Sequence, residues 1–101
     1  MFETTKKLEL ERKIAKGRCH VLFYASWCPD CTRFMPTFDS LLPKAKAQLL
    51  KARIDEDENP MWDHFKIERV PTVVLFEDGK EKGRAEEKGG KIDAKELARL
   101  L

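Results

Sequence analysis

Residues 19–25 read CHVLFYA, a β-favouring apolar run with no polar alternation, and Trp27-Cys28-Pro29-Asp30-Cys31 follows almost at once. A strand with one wet face alternates apolar and polar residues, whereas a strand covered on both faces does not. The run therefore predicts a central strand between two layers of helix. On either side of it the chain alternates short elements. Residues 5–16 put Leu10 and Ile14, with Leu8 and Ala15 beside them, on the apolar face of a first helix, and Gly17 offers its stop. From Pro29, helical spacing appears in Phe34, Phe38, Leu41, Leu42 and Ala45, with Pro36 expected to kink the helix. Residues 49–54 read as a strand. Asn59 and Pro60 then resemble a cap and a first-turn proline opening a short helix with Met61, Trp62 and Phe65. Residues 71–77 form another strand, Asp78-Gly79 a hairpin turn, and residues 80–87 a polar edge strand. Asp93 and Glu96 resemble a capping pair before a last helix carrying Leu97, Leu100 and Leu101. The expected order is α-β-α-β-α-β-β-α, an α/β domain with a mixed sheet flanked by helices. Phe34, Phe38, Phe65 and Phe76 are assigned to the core.

A chain of 101 residues has room for one hydrophobic core, so residues 1–101 are expected to form a single domain. Hydrophobic residues are 42% and charged residues 38%, too apolar for a disordered chain and too charged for a membrane protein. Twenty basic residues against eighteen acidic ones are interspersed, which argues against nucleic acid as a partner. The longest apolar runs, residues 21–25 and 73–76, are far short of a bilayer span, and the first residues lack a signal-peptide core. No membrane association and a cytoplasmic location are the expectations.

The chain has three cysteines, and Cys28 and Cys31 are three apart at a strand-to-helix junction. A sulfur at a helix N-terminus faces unpaired backbone N–H groups and the positive end of the dipole, which favours the thiolate and makes Cys28 a candidate nucleophile. Cys31, one turn on, can reach it and close a small disulfide ring. The competing chemistry is metal binding, since a CxxC is often half of a zinc site or part of an iron–sulfur site. Zinc needs a second pair of ligands, and Cys19, His20 and His64 stand singly, so redox chemistry is favoured and no metal is assigned. Cys19 reads as a small buried hydrophobe rather than a third redox thiol. His20 and His64 read as ordinary surface or strand-edge residues. Asp55-Glu56-Asp57-Glu58 lacks the glycine and length of a calcium loop and reads as a solvated loop on the active-site edge, placed either to hold Trp27 or to repel acidic partners.

In these residues the sequence resembles the thioredoxin superfamily, and within it the small thioredoxin-related proteins bearing WCPDC. FYASWCPDC followed by Pro36, KARID at residues 51–55, Val70-Pro71-Thr72 before an apolar strand, FEDG, and Gly89-Gly90 before the last helix fall in the family's order over about four-fifths of the chain. The resemblance implies a thioredoxin-like fold with a four- or five-stranded sheet, and a thiol–disulfide oxidoreductase that reduces protein disulfides through Cys28 and Cys31 without a bound cofactor. It implies a cis peptide at Val70-Pro71 and a docking surface formed by Trp27, Pro29, Asp30, Val70, Pro71, Gly89 and Gly90. The partners implied are disulfide-containing proteins and a thioredoxin-reductase-like electron donor, with a monomer expected. The alternative is a non-catalytic binding module of the same fold whose CxxC is a redox switch or metal ligand.

Three departures stand out. Leu22 occupies the place of the family's buried aspartate, six residues before Cys28, which leaves the proton relay without its usual base. Asp30 adds an anion beside Cys28, and an inward-pointing Lys51 is expected to offset it. A first edge strand at residues 1–3 is expected to be vestigial or absent.

Overall fold

The computed structural model describes residues 1–41, 44 and 46–101. Its elements are β1 (Phe2–Thr4), α1 (Lys7–Ile14), β2 (Arg18–Tyr24), α2 (Pro29–Asp39), β3 (Gln48–Arg53), α3 (Met61–His64), β4 (Thr72–Glu77), β5 (Lys80–Glu86) and α4 (Ala94–Ala98). The strands form one five-stranded sheet in the order β1-β3-β2-β4-β5. β2 is central, parallel to β3 and antiparallel to β4, which pairs with β5 as a hairpin.

The absence of alternation in β2 follows from its place. Leu22 and Tyr24 face one core with Cys31, Phe34, Phe38 and Leu97, while Cys19, Val21 and Phe23 face a second with Leu10, Ile14, Met61 and Phe65. Each large side chain so buried contributes roughly 1.5–3 kcal/mol, and both faces of β2 are covered in this way. The Asp78-Gly79 turn has both residues at positive φ, 51° and 84°, the conformation of a two-residue hairpin loop. Asp78 Oδ1 accepts the Gly17 N–H at 2.7 Å, tying the hairpin to the loop that leads into β2.

Several expectations are corrected. The first strand is present: β1 pairs in parallel with β3, Phe2 opposite Leu50 and Thr4 opposite Ala52. Three residues are too few for a readable period, but an edge strand needs only the ladder that its neighbour supplies. Leu8 is 65% exposed, because it lies about 200° around the helix from Leu10, which with Ile14 forms the buried face. The chain leaves the helix earlier than the spacing implies: α2 runs through Pro36 and ends at Asp39, Leu41 is buried in a turn, and Leu42 and Ala45 lie outside the described residues. Leu101 is exposed, whereas Leu97 and Leu100 are buried. Asn59 Oδ1 accepts the Met61 N–H at 2.9 Å, although Pro60 itself takes the cap position. Asp93 caps α4 through the N–H groups of Lys95 and Glu96, while the Glu96 carboxylate turns to Lys88.

His20 is neither at the surface nor at an edge. It is fully buried, with Nε2 2.5 Å from the carbonyl oxygen of Leu100, and Arg18 donates to the same carbonyl at 3.3 Å. The carbonyls that end a helix have no partner within it, and β2 supplies two donors beneath the end of α4. His64 is exposed, 3.2 Å from Glu11.

Candidate active site

β2 ends at Tyr24 and the chain turns through Ala25, Ser26 and Trp27, with the Cys28 N–H donated to the Ala25 carbonyl at 3.2 Å. Cys28 has extended backbone geometry and caps α2, and Pro29 fills the first helical position, where its missing N–H costs nothing. The cap acceptor, usually a hydroxyl or carboxylate oxygen, is here a sulfur: Cys28 Sγ accepts the Cys31 N–H at 3.1 Å. On its other side Cys28 Sγ donates to the Val70 carbonyl at 3.7 Å. All three cysteines are free thiols.

Cys31 is completely enclosed, and its neighbours Leu22, Phe34 and Val73 are apolar. Burial, with Cys28 adding to it, pushes the Cys31 thiol up to about 12. The pair thus has unequal members. Cys28 stands at the helix end against a backbone carbonyl of the neighbouring loop, and Cys31 sits behind it as a protonated thiol.

Trp27 is 56% exposed and its indole N–H donates to the Asp55 carbonyl at 2.9 Å. The Asp55 carboxylate accepts the Ser26 N–H and hydroxyl, each at 2.7 Å, and these bonds hold its carboxyl below the ordinary range. Trp62 clamps the same loop from α3 through the Glu56 carbonyl at 3.1 Å. The acidic loop therefore does hold Trp27. On the other flank, Gly89 and Gly90 have φ of 63° and 90°, and a Cβ on Gly90 would stand 3.5 Å from Asp30 Oδ1. The Val70-Pro71 peptide is cis.

Lys51 does not offset Asp30. Its ammonium is 3.0 Å from Asp39 Oδ1, and the partner of Asp30 is Arg33, one turn along α2. An i,i+3 acid–base pair on a helix such as Asp30–Arg33 is legible in sequence, whereas charge alone points to Lys51. Glu3 accepts the Tyr24 hydroxyl at 2.8 Å; burial, helped by this bond, pushes that phenol up to about 12. The bond could not be foreseen without β1. Cys19 lies in the opposite core from Cys28 and Cys31, its Sγ 3.8 Å from the Lys13 carbonyl, and burial pushes its thiol up.

The fold and the paired cysteines agree with comparison to known proteins. The family model described as Thioredoxin matches residues 1–101. The chain belongs to the thioredoxin family. It is 32% identical to a thioredoxin of Mycoplasmoides gallisepticum over 103 aligned residues, spanning 100% of this chain and 99% of that one. A thioredoxin of Chlamydia caviae is 34% identical over 87% of this chain and 83% of its own. Among solved structures, a mutant thioredoxin from Halobacterium salinarum superposes with TM-score 0.78 at 27% identity, covering 99% of this chain and 86% of that one. Plasmodium falciparum thioredoxin shares the fold with TM-score 0.81 over 99% and 95% of the two chains, at 21% identity. This thioredoxin-family chain is a thiol–disulfide oxidoreductase, acting as a protein-disulfide reductase.

Proposed function

We propose that Cys28 is the nucleophile and Cys31 the resolving thiol of a dithiol–disulfide exchange with protein substrates. The Cys28 thiolate attacks one sulfur of a substrate disulfide. A Cys28–substrate bond forms, the substrate S–S bond breaks, and the departing sulfur takes up a proton. Cys31 then gives up its proton and attacks Cys28 Sγ. The mixed disulfide breaks, the second substrate sulfur is protonated, and a Cys28–Cys31 disulfide remains. Two electrons have passed from the protein to the substrate, and no bound cofactor is needed. The observation that supports this reading is the Cys31 N–H donated to Cys28 Sγ at 3.1 Å at the start of α2.

Trp27, Pro29, Asp30, Val70, Pro71, Gly89 and Gly90 form the docking surface. All border one end of the sheet, and the Val70 carbonyl beside Cys28 Sγ offers backbone to an incoming extended segment. The electron donor is a thioredoxin-reductase-like protein. In its support, a bifunctional thioredoxin reductase/thioredoxin of Mycobacterium leprae is 34% identical over 58 aligned residues, which are 13% of that chain. The chain works as a single-domain monomer in the cytoplasm, without nucleic acid or membrane. Among the described residues no helix is long and apolar enough to cross a membrane.

Insulin reduction followed by turbidity, with dithiothreitol as reductant, tests the assignment. Cys28→Ser abolishes the activity, whereas Cys31→Ser accumulates a mixed disulfide with the substrate and does not turn over. Undiminished reduction by Cys28→Ser refutes the assignment.

A further inference from the structure

A cavity of about 240 Å³ opens beside the first two turns of α2, lined by Asp30, Arg33, Phe34, Thr37, Gly90 and Lys91. α2 forms one wall and the turn after β5 the other, with Gly90, at φ 90°, lying against Asp30. Phe34 is buried and gives the cavity an apolar floor.

The rim is cationic. Arg33 spends part of its guanidinium on Asp30 and neutralises it, yet its side chain is 67% exposed and keeps further N–H donors for a visitor. Lys91 is exposed and forms no ion pair among the described residues. Nearby, Lys88 is 3.5 Å from Glu96, and the Glu87 carboxylate, outside the lining, accepts the Gly90 N–H at 3.3 Å and keeps its charge. Within the lining itself, Arg33 and Lys91 stand against Asp30 alone, which leaves one net positive charge in the wall for a bound side chain.

The sheet order sets this charge against an opposite one. The ends of β2, β3 and β5 and the start of β4 lie at the same end of the sheet, as their parallel and antiparallel pairings require. The Asp55–Glu58 loop follows β3 on one side of β2, and the Gly89-Gly90 turn follows β5 on the other. Cys28 stands between an acidic flank and a cationic cavity.

The geometry points to this cavity as a specificity subsite for an acidic side chain, glutamate or aspartate, carried close to the cystine of a protein substrate. The inference rests on the reductase reading above and names the substrate class that its site prefers. An extended chain advances about 3.3 Å per residue and a helical turn about 5.4 Å, so a residue two or three positions from the attacked cystine reaches from Cys28 to the cavity. The methylenes of a glutamate lie over Phe34 and Gly90 while its carboxylate meets Lys91 and the outward N–H groups of Arg33. Arg33 and Lys91 thus determine specificity and take no part in the exchange at sulfur.

The test compares peptide disulfides that differ at one position, Glu, Gln or Lys, placed two or three residues from the cystine on its N-terminal side in one series and on its C-terminal side in the other. kcat/KM is measured at low ionic strength for the intact chain and for Lys91→Glu and Arg33→Glu. In one series alone, Glu is expected to outrun Lys by about threefold to fivefold, the size of an exposed ion pair. In that series Lys91→Glu reverses the order and Arg33→Glu weakens it. Equal rates for Glu and Lys peptides in both series overturn the subsite, as does an equal Glu advantage in both series, which is a whole-protein charge effect. A preference that survives in both variants overturns it too. If no peptide is reduced at all, the reductase reading fails and the subsite with it.

Discussion

Leu22 of β2 is the register partner of Lys51 of β3, and Lys51 carries its ammonium across to Asp39 of α2, 3.0 Å away. Leu22 is fully buried in the core that encloses Cys31, so the side of the resolving thiol that faces the sheet is apolar. Leu22→Asp places a carboxyl there, and two effects oppose each other. Burial of the new group lowers stability by about 2–4 kcal/mol. The same group supplies a base near Cys31, and release of the mixed disulfide quickens by roughly tenfold or more. Thermal melting and single-turnover quenching read the two separately, and lost stability without faster release shows that the proton leaves by another route.

Alkylation separates the three thiols. Cys31 is enclosed, and burial pushes its thiol up, so it stays protonated at pH 7. Cys19 is buried in the opposite core. Iodoacetamide followed by peptide mass analysis is expected to modify Cys28 first, and faster labelling of Cys31 or Cys19 contradicts the assignment of the nucleophile.

His20 makes the fold sensitive to acid. Burial holds its imidazole below the ordinary 6.5, the Leu100 carbonyl partly counters this, and the Arg18 guanidinium adds to it. Its Nδ1 is buried without a partner among the described residues, so a proton there meets no acceptor from them. A depressed histidine value means that the unfolded chain binds more protons than the folded one between the two values. The stability from neutral His20 is complete above about pH 6.5 and falls as the solution is acidified below it. Melting curves from pH 8 to pH 5 are expected to show this loss, and His20→Gln to flatten it.

Asp55 positions the loop that leads into Cys28. Asp55→Ala removes the acceptor of both Ser26 bonds and leaves Trp27 held only through backbone. The Trp27 contribution to fluorescence is expected to shift, and kcat/KM for insulin to fall, by up to roughly 10²-fold if the loop moves by about an ångström. The hydrogen bonds to Ser26 lower the Asp55 carboxyl, so its hold is present above about pH 3.8 and lost as pH falls through the depressed value. An unchanged spectrum with unchanged activity shows that the backbone bond suffices.

Local chemistry made most of the elements and the cysteine pair legible. Residues 19–25 declare a strand covered on both faces, Asp78-Gly79 declares a hairpin, and a cysteine followed by proline after a strand declares a helix N-terminus. These signals depend on neighbours in sequence. The edge strand β1 was missed because three residues hold no period, and its existence depends on β3, about fifty residues away. The burial of His20 was missed for the same kind of reason, since only folding brings the end of α4 over β2. Lys51 was assigned to Asp30 from charge alone, while the structure gives it to Asp39 and gives Arg33 to Asp30. Sequence by itself determined which residues could do redox chemistry, because thiol reactivity and helix capping are local. Tertiary structure alone decided which of the two buried thiols is completely enclosed and which charged residues pair on each flank, because burial and long-range pairing depend on segments that meet only in the folded chain.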